Sequence, residues 1–136
     1  MAKTSGLGGV VSVADAGSTA RTITNDCTNW QISTPRAVQD VTGIDKSANE
    51  RILLLADISF TLNGVLNAAA NMSHAVFSTI PSTSVNRAVS VQATSAGSTL
   101  ATNQILTDYQ LTRANTGELT WQVPGQLADG NVPTWS

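Results

Sequence analysis

The chain is predicted to be mainly β, a small β-sandwich or partly closed barrel of about seven strands with one flanking α-helix. Two observations predict this class. Several short segments, most clearly residues 57–63 and 117–123, alternate apolar and polar residues with the two-residue period of a half-buried strand. One segment, residues 67–79, instead has apolar residues at helical spacing and ends before Pro81. A lone helix with one apolar stripe is expected to pack on a sheet.

The other strands follow from the same alternation and from the turn residues between them. We predict strands over residues 22–26, 29–33, 37–42, 52–56, 87–94 and 105–113, and a tight turn at Asn63 and Gly64. Ser47 and Glu50 have the spacing of a capping box, which predicts one helical turn over residues 44–51. The predicted core consists of Trp30, Ile32, Ile58, Phe60, Leu62, Leu66, Phe77, Val89, Val91, Leu119, Trp121 and Val123.

The composition fits one domain and excludes several classes of function. At 136 residues the chain has room for a single core. Charged residues make up 12% and the net charge is -2, so tight nucleic-acid binding by counterion release is not expected. Neutral polar side chains cost less to dehydrate than ions, which favours self-assembly. No apolar run approaches the roughly 18 residues of a membrane span, so no membrane anchor is expected.

The start of the chain differs from the rest. Residues 1–20 are rich in Gly, Ala and Ser and are predicted to form a flexible N-terminal arm, followed by one β domain over residues 21–136. Val10, Val11 and Val13 give the arm a short apolar segment. We expect these three valines to contact a neighbouring subunit.

Two residues near the C-terminus are further candidates for a subunit interface. Arg113 shares a predicted strand face with Tyr109 and Leu111, which favours an ion pair or a cation–π contact. Trp135 is expected to be exposed, and exposed aromatic residues often contact partners. Trp135 and Tyr109 also fit an alternative function, a binding module such as a capsid decoration protein or a carbohydrate-binding β-sandwich.

Signals for catalysis are weak, and we expect no enzyme activity, no cofactor and no metal site. His74 is the only histidine and has no Cys or carboxylate at metal-ligand spacing. Cys27 is the only cysteine, which excludes an internal disulfide. The nucleophile motif Gly-x-Ser-x-Gly is absent from the sequence. Asp40, Asp45 and Asp57 are too far apart in sequence for one calcium-binding loop.

A succession of short motifs resembles one known family. The motifs are Asp-Val-Thr-Gly at 40–43, Glu-Arg at 50–51, Leu-Asn-Gly-Val at 62–65, Ser-His-Ala-Val-Phe at 73–77, Asp-Tyr-Gln-Leu-Thr-Arg at 108–113, Gly-Glu-Leu-Thr-Trp at 117–121 and Pro-Thr-Trp at 133–135. In this order they resemble the major tail proteins, or tail tube proteins, of long-tailed bacteriophages. The resemblance covers most of residues 20–136.

The resemblance implies a function as well as a fold. It implies a β-sandwich flanked by a helix, six copies of which close into a ring, with rings stacked into a hollow tube through which DNA leaves the capsid. The protein would be made in the host cytoplasm and located in the virion tail. Its partners would be copies of itself, tape-measure and tail terminator proteins, and double-stranded DNA in non-specific transit. The tube protein of a contractile injection system is an alternative with the same architecture.

A DNA conduit also predicts where charge is needed. A wall bearing carboxylates would repel phosphates and keep the duplex from sticking. Loops at residues 82–86 and 95–99 are candidates for contacts between stacked rings. The candidate acidic residues facing the channel, all on polar faces of predicted strands, are Asp26, Asp40, Asp57 and Asp108.

Overall fold

The computed structural model describes residues 3–136, and its mainly β fold confirms the predicted class. Within residues 3–136, ten strands and one short helix follow each other. They are β1 (Val10–Ala14), β2 (Ala20–Thr22), β3 (Cys27–Ser33), β4 (Arg36–Asp40), β5 (Arg51–Ala56), β6 (Ser59–Val65), α1 (Ser73–Phe77), β7 (Arg87–Thr94), β8 (Gly97–Leu106), β9 (Gln110–Arg113) and β10 (Leu119–Leu127).

Eight of the strands form one antiparallel sheet, which we call the main sheet. Its order is β2-β1-β7-β8-β10-β6-β3. Strand β9 pairs with residues 119–122 of β10, whereas β8 pairs with residues 125–127 of the same strand. Strands β4 and β5 form a separate two-stranded sheet. The edge strands β2 and β3 do not pair with each other in the described chain, so the main sheet is not a closed barrel.

The main sheet curls so that both of its halves share one core. Side chains from β1 and β7 and side chains from β6 and β10 belong to the same buried cluster. The link between β2 and β3 bridges the opening of the curl: the Ile23 amide donates to the Val11 carbonyl at 3.0 Å, and the Val65 amide donates to the Asp26 carbonyl at 2.9 Å. The opening is therefore partly closed by backbone hydrogen bonds rather than by strand pairing.

Most of the predicted core is buried, because side chains that alternate toward one face of a curled sheet meet in its interior. The exception is Trp30, which is 37% exposed. It lies on the edge strand β3, which pairs only with β6 within residues 3–136. Three residues are partly buried instead of buried: Ile32, Leu66 and Leu119. The buried residues from the predicted set are Ile58, Phe60, Leu62, Phe77, Val89, Val91, Trp121 and Val123.

The helix is shorter than predicted. Helix α1 covers only Ser73–Phe77, and residues 67–72 form an irregular segment with a turn at residues 70–71. Asn71 has a positive φ of 64°, a left-handed conformation that interrupts a helix. Asn67 also accepts a hydrogen bond from the Ala69 amide through its side-chain oxygen, and such local bonds compete with helix formation.

The helical turn predicted over residues 44–51 is wrong. Residues 41–50 form a loop that closes the β4–β5 hairpin, and β5 begins at Arg51. The Val41 amide donates to the Glu50 carbonyl at 2.9 Å, and the Glu50 amide donates to Thr42 Oγ1 at 2.8 Å. These bonds extend the hairpin ladder and use the Glu50 backbone that a helical turn would have needed.

The N-terminal segment also needs a correction. Strand β1, Val10–Ala14, lies within the main sheet between β2 and β7, so part of the predicted arm belongs to the β domain. Val11 and Val13 are 3% and 0% exposed because their alternation with Ser12 places both in the core. Mobility of residues 3–9, which precede this strand, stays a prediction. No helix within residues 3–136 has the length and apolar character needed to cross a membrane.

Candidate assembly surfaces

The β4–β5 hairpin is the most apolar exposed surface of the protein, and we call it the apolar hairpin. Leu55 is 84% exposed, Leu53 is 61% exposed and Val38 is 52% exposed. Because neighbouring strand residues point to opposite faces, both faces of this two-stranded sheet present apolar side chains. A monomer rarely exposes so many large aliphatic residues together without a partner.

Near its base, the apolar hairpin is held by hydrogen bonds between its own two strands. The Asp57 amide donates to the Pro35 carbonyl at 3.0 Å, and Arg36 Nε donates to the Leu54 carbonyl at 2.9 Å. An isolated two-stranded sheet is marginally stable in water and gains stability when other elements cover it. The hairpin therefore has the character of an element that is completed by contacts outside its own subunit.

The main sheet has two edges that no other strand of residues 3–136 covers. Strand β3 is seven residues long and pairs with β6 on one side only. Strand β2, at the opposite edge, has three residues and pairs only with β1. Unpaired backbone donors and acceptors along a sheet edge are a template for pairing with another chain.

The C-terminal tail, residues 128–136, runs antiparallel to β8 along the part of its edge that β10 leaves free, and its middle residues border the outward face of β1, β7 and β8. Asn103 Nδ2 donates to Asp129 Oδ2 at 3.0 Å, and the backbones of Thr99 and Ser136 exchange two hydrogen bonds of 2.9 Å. Between the tail and the sheet lies a groove of about 370 Å³, lined by small residues such as Ser12, Ser90 and Ala101. The tail thus covers part of one outward face of the main sheet.

The predicted interface residues separate into two groups. Val11 and Val13 are buried in the core of their own subunit, so their assignment to a subunit interface is wrong for the folded chain. Val10 and Trp135 are 37% and 51% exposed, and Arg113 is exposed. These three residues are accessible, and their contact with another subunit stays a prediction.

Asp26 is not available to line a channel. It is 2% exposed, and its carboxylate accepts hydrogen bonds from Asn67 Nδ2 at 2.9 Å and from the Ser73 amide at 3.2 Å. The carboxylate thereby joins the link between β2 and β3 to the start of α1. Its role is to hold the fold together, because a buried polar group is retained where it is hydrogen-bonded.

The other three acidic candidates are exposed, and none of them is on a strand of the main sheet. Asp40 is on the apolar hairpin, where hydrogen bonds donated by the hydroxyl and amide of Thr42 lower the pKa of its carboxyl. Asp57 precedes β6, and Asp108 lies between β8 and β9. Not one Asp or Glu of the described chain lies on a strand of the main sheet.

The outward face of β3, β6, β10 and β9 carries neutral polar side chains, and we call it the amide–hydroxyl face. In the strand register, Asn29 lies opposite Asn63, Asn63 lies opposite Gln122, and Gln122 lies opposite Gln110. Four amide side chains thus form one row across four strands. Asn63 Nδ2 donates to Asn29 Oδ1 at 2.7 Å within this row. Each amide belongs to a different strand, so no local pattern in the sequence indicates this row.

The residues most suited to chemistry do not form a reaction centre. His74 Nδ1 lies 3.1 Å from the Tyr109 hydroxyl, beside a cavity of about 460 Å³ that also includes Asp108. Burial raises the pKa of Tyr109, which keeps its hydroxyl protonated. Burial likewise raises the pKa of the Cys27 thiol, which opposes nucleophile formation. Within residues 3–136, no three His, Cys, Asp or Glu side chains come together as metal ligands.

Comparisons with known proteins identify solved structures that have a similar fold. No protein-family model matches the chain, and no curated protein matches it. The chain is similar to a chain from the tail of an empty GTA particle, solved by helical refinement with C6 symmetry: the TM-score is 0.78 at 16% identity, with 98% of this chain and 99% of that chain covered. A chain of the native gene transfer agent virion gives a TM-score of 0.77 at 17% identity, with the same coverage of 98% and 99%. The fold predicted from the phage tail resemblance is therefore confirmed.

Proposed function

We propose that this protein is a structural virion protein whose copies form rings of six that stack into a phage tail tube, the conduit for DNA delivery. The observation that carries the proposal is the fold likeness, a TM-score of 0.78 over 98% of the chain to a tail solved with C6 symmetry. Similarity over the whole length of both chains means that the apolar hairpin, the sheet edges and the C-terminal tail all belong to a fold found in a tail.

The apolar hairpin supports assembly through the hydrophobic effect. Leu53 and Leu55 are mostly exposed in one subunit, and covering them removes apolar surface from water at about 25 cal/mol per Å². A hairpin that forms a sheet separate from the main sheet can reach a neighbouring subunit, in the same ring or in the next. We therefore assign the apolar hairpin to contacts between copies of this chain.

The free sheet edges support ring closure. If β3 of one copy pairs with the opposite edge of the next, each subunit satisfies the backbone groups of its neighbour, and a closed ring leaves no edge free. The absence of Asp and Glu from the main-sheet strands removes one source of repulsion between neighbouring sheets. Trp30, exposed on β3, would then lie at this contact and be covered by the neighbour.

A structural role in a phage tail implies a location, a lack of catalysis and a set of partners. The protein acts in the virion and is not an enzyme, which agrees with a His74 that bonds to Tyr109 rather than to a nucleophile. Its partners are other copies of itself, the tape-measure and tail terminator proteins, and double-stranded DNA in transit.

The test is direct imaging of concentrated purified protein. We expect tubes of uniform bore with six-fold symmetric end views by negative-stain electron microscopy. Sedimentation should give one small species at low protein concentration and polymer above a threshold. A matched pair of variants, Leu55→Ser in the apolar hairpin and Thr116→Ser in an exposed turn, separates assembly from folding. Protein that stays monomeric at every concentration would contradict the proposal and favour a binding module.

A further inference from the structure

We infer that the wall along which DNA passes is the amide–hydroxyl face, and that this wall is uncharged, with the carboxylates outside the strands of the main sheet. The inference rests on the proposed function and goes beyond it by naming the surface and the chemistry of its contact with the duplex. It replaces the acidic wall expected from the sequence.

The two outward faces of the main sheet differ in what borders them. The face of β1, β7 and β8 is partly covered by the C-terminal tail, which is held there by the bond between Asn103 and Asp129. On the face of β3, β6, β10 and β9 the side chains of Gln31, Gln110 and Gln122 are exposed. Their amides are strongly hydrated, and a surface of this kind is suited to a water-filled channel rather than to a dry subunit contact.

The strands of the main sheet carry little charge. Among residues 3–136, the strands of the main sheet carry only three ionic side chains, Arg21, Arg87 and Arg113. By the alternation along each strand, all three side chains lie on the side of the sheet that faces the core. Arg21 is opposite the buried Val13, Arg113 is opposite Leu119, and Arg87 is itself 1% exposed. The amide–hydroxyl face therefore carries neither a cation nor a carboxylate on its strands.

The acidic groups near these strands lie outside them. Asp57 precedes β6 and Glu118 precedes β10, at opposite ends of this pair of strands. Asp108, between β8 and β9, lies instead beside the middle of β10, at the cavity that His74 also lines. In a barrel built from these strands, the positions of Asp57 and Glu118 form the two rims. Negative charge at each rim would centre the duplex in the bore, while the wall itself neither attracts nor repels phosphates.

This arrangement predicts that the wall has only a weak affinity for DNA at every salt concentration. The affinity of cationic side chains for DNA falls steeply as salt rises, because binding releases counterions. A wall without cations lacks this salt-dependent contribution to the affinity. Amide and hydroxyl groups bind water and phosphate oxygens about equally well, so replacing one by the other changes the free energy little. The duplex would therefore slide over a hydrated neutral surface at any ionic strength.

The experiment places one charge on the wall of assembled tubes. Gln122→Lys adds a lysine to the centre of the amide row on β10, and Gln122→Glu is the matched control at the same position. Thr120→Lys, also exposed and on the same face, repeats the test in case Gln122→Lys does not assemble. A fluorescent duplex of about 15 base pairs is incubated with tubes, and the DNA retained after pelleting is measured with and without nuclease.

We expect wild-type and Gln122→Glu tubes to retain almost no duplex at either 50 or 200 mM salt. Lysine tubes should retain at least about tenfold more at 50 mM salt, should lose most of it at 200 mM, and should protect it from nuclease. Lysine tubes that retain no extra DNA, or that retain only nuclease-sensitive DNA, would overturn the inference and place this face outside the channel. Failure of the wild-type protein to form tubes would instead contradict the proposed function.

Discussion

Leu55 provides the sharpest test of how the apolar hairpin acts. Leu55→Ala removes three carbon atoms from a side chain that is 84% exposed in one subunit. At about 0.8 kcal/mol per buried CH₂, covering these atoms in an assembled tube contributes about 2 kcal/mol per subunit. A loss of about 2 kcal/mol corresponds to a roughly 30-fold change in an equilibrium constant. We therefore expect the critical concentration for tube formation to rise about 30-fold.

The assay measures assembly and folding on the same variant. Pelleting over a series of protein concentrations gives the critical concentration, and urea unfolding of the unassembled protein gives the free energy of unfolding. Because Leu55 is mostly in water within one subunit, we expect that free energy to change by less than about 0.5 kcal/mol. The control is Leu62→Ala in the core, which should cost about 2–5 kcal/mol of folding stability.

Two results would refute the reasoning. An unchanged critical concentration would mean that Leu55 stays in water after assembly and that the apolar hairpin is not a contact. A large loss of folding stability would mean that Leu55 belongs to the core of its own subunit, and its exposure would then need another explanation.

Three further substitutions or treatments test the fold. The buried Arg87 donates three hydrogen bonds, so Arg87→Met should lower the free energy of urea unfolding by about 2–4 kcal/mol, whereas Arg113→Met should leave it nearly unchanged. A Cβ at Gly125 would overlap the Phe60 ring, so Gly125→Ala should cost about 1–3 kcal/mol, seen as a lower melting temperature, and a normal melt would contradict that packing. Because burial raises the pKa of Cys27, alkylation by iodoacetamide at pH 7 should be several-fold slower than in urea and should accelerate as pH rises toward the raised pKa; equal rates would refute this.

The sequence pattern predicted β6, β7 and β10 approximately because their signal is local. The predicted turn at Asn63 and Gly64 is wrong, since both residues lie within β6, and the single strand predicted over residues 105–113 is divided between β8 and β9. In β6 and β10 the side chains alternate between core and solvent, so apolar and polar residues alternate along the sequence with a period of two. Phe60, Leu62, Trp121 and Val123 are buried as that period indicates. Trp30 follows the same alternation but remains 37% exposed, because burial on an edge strand depends on what lies beyond it.

The sequence pattern was less informative about the candidate surfaces. Residues 52–56 are continuously apolar, a pattern typical of a strand buried on both faces, yet the strand projects with both faces exposed. Asp26 was expected on a polar face and is instead buried against Asn67 and Ser73, more than forty residues away in sequence. Both outcomes depend on distant parts of the chain, and a local pattern carries no information about them.

By itself, the sequence determined the fold class, the identity of most core residues and the absence of a strong chemical motif, because each follows from short-range alternation or from residue counts. Only the tertiary structure decided that Val11 and Val13 fill the core, that the apolar hairpin is uncovered and that the carboxylates lie outside the strands of the main sheet. The physical reason is that burial and the sharing of a face are set by which strands become neighbours. Strand order depends on contacts between residues far apart in the chain.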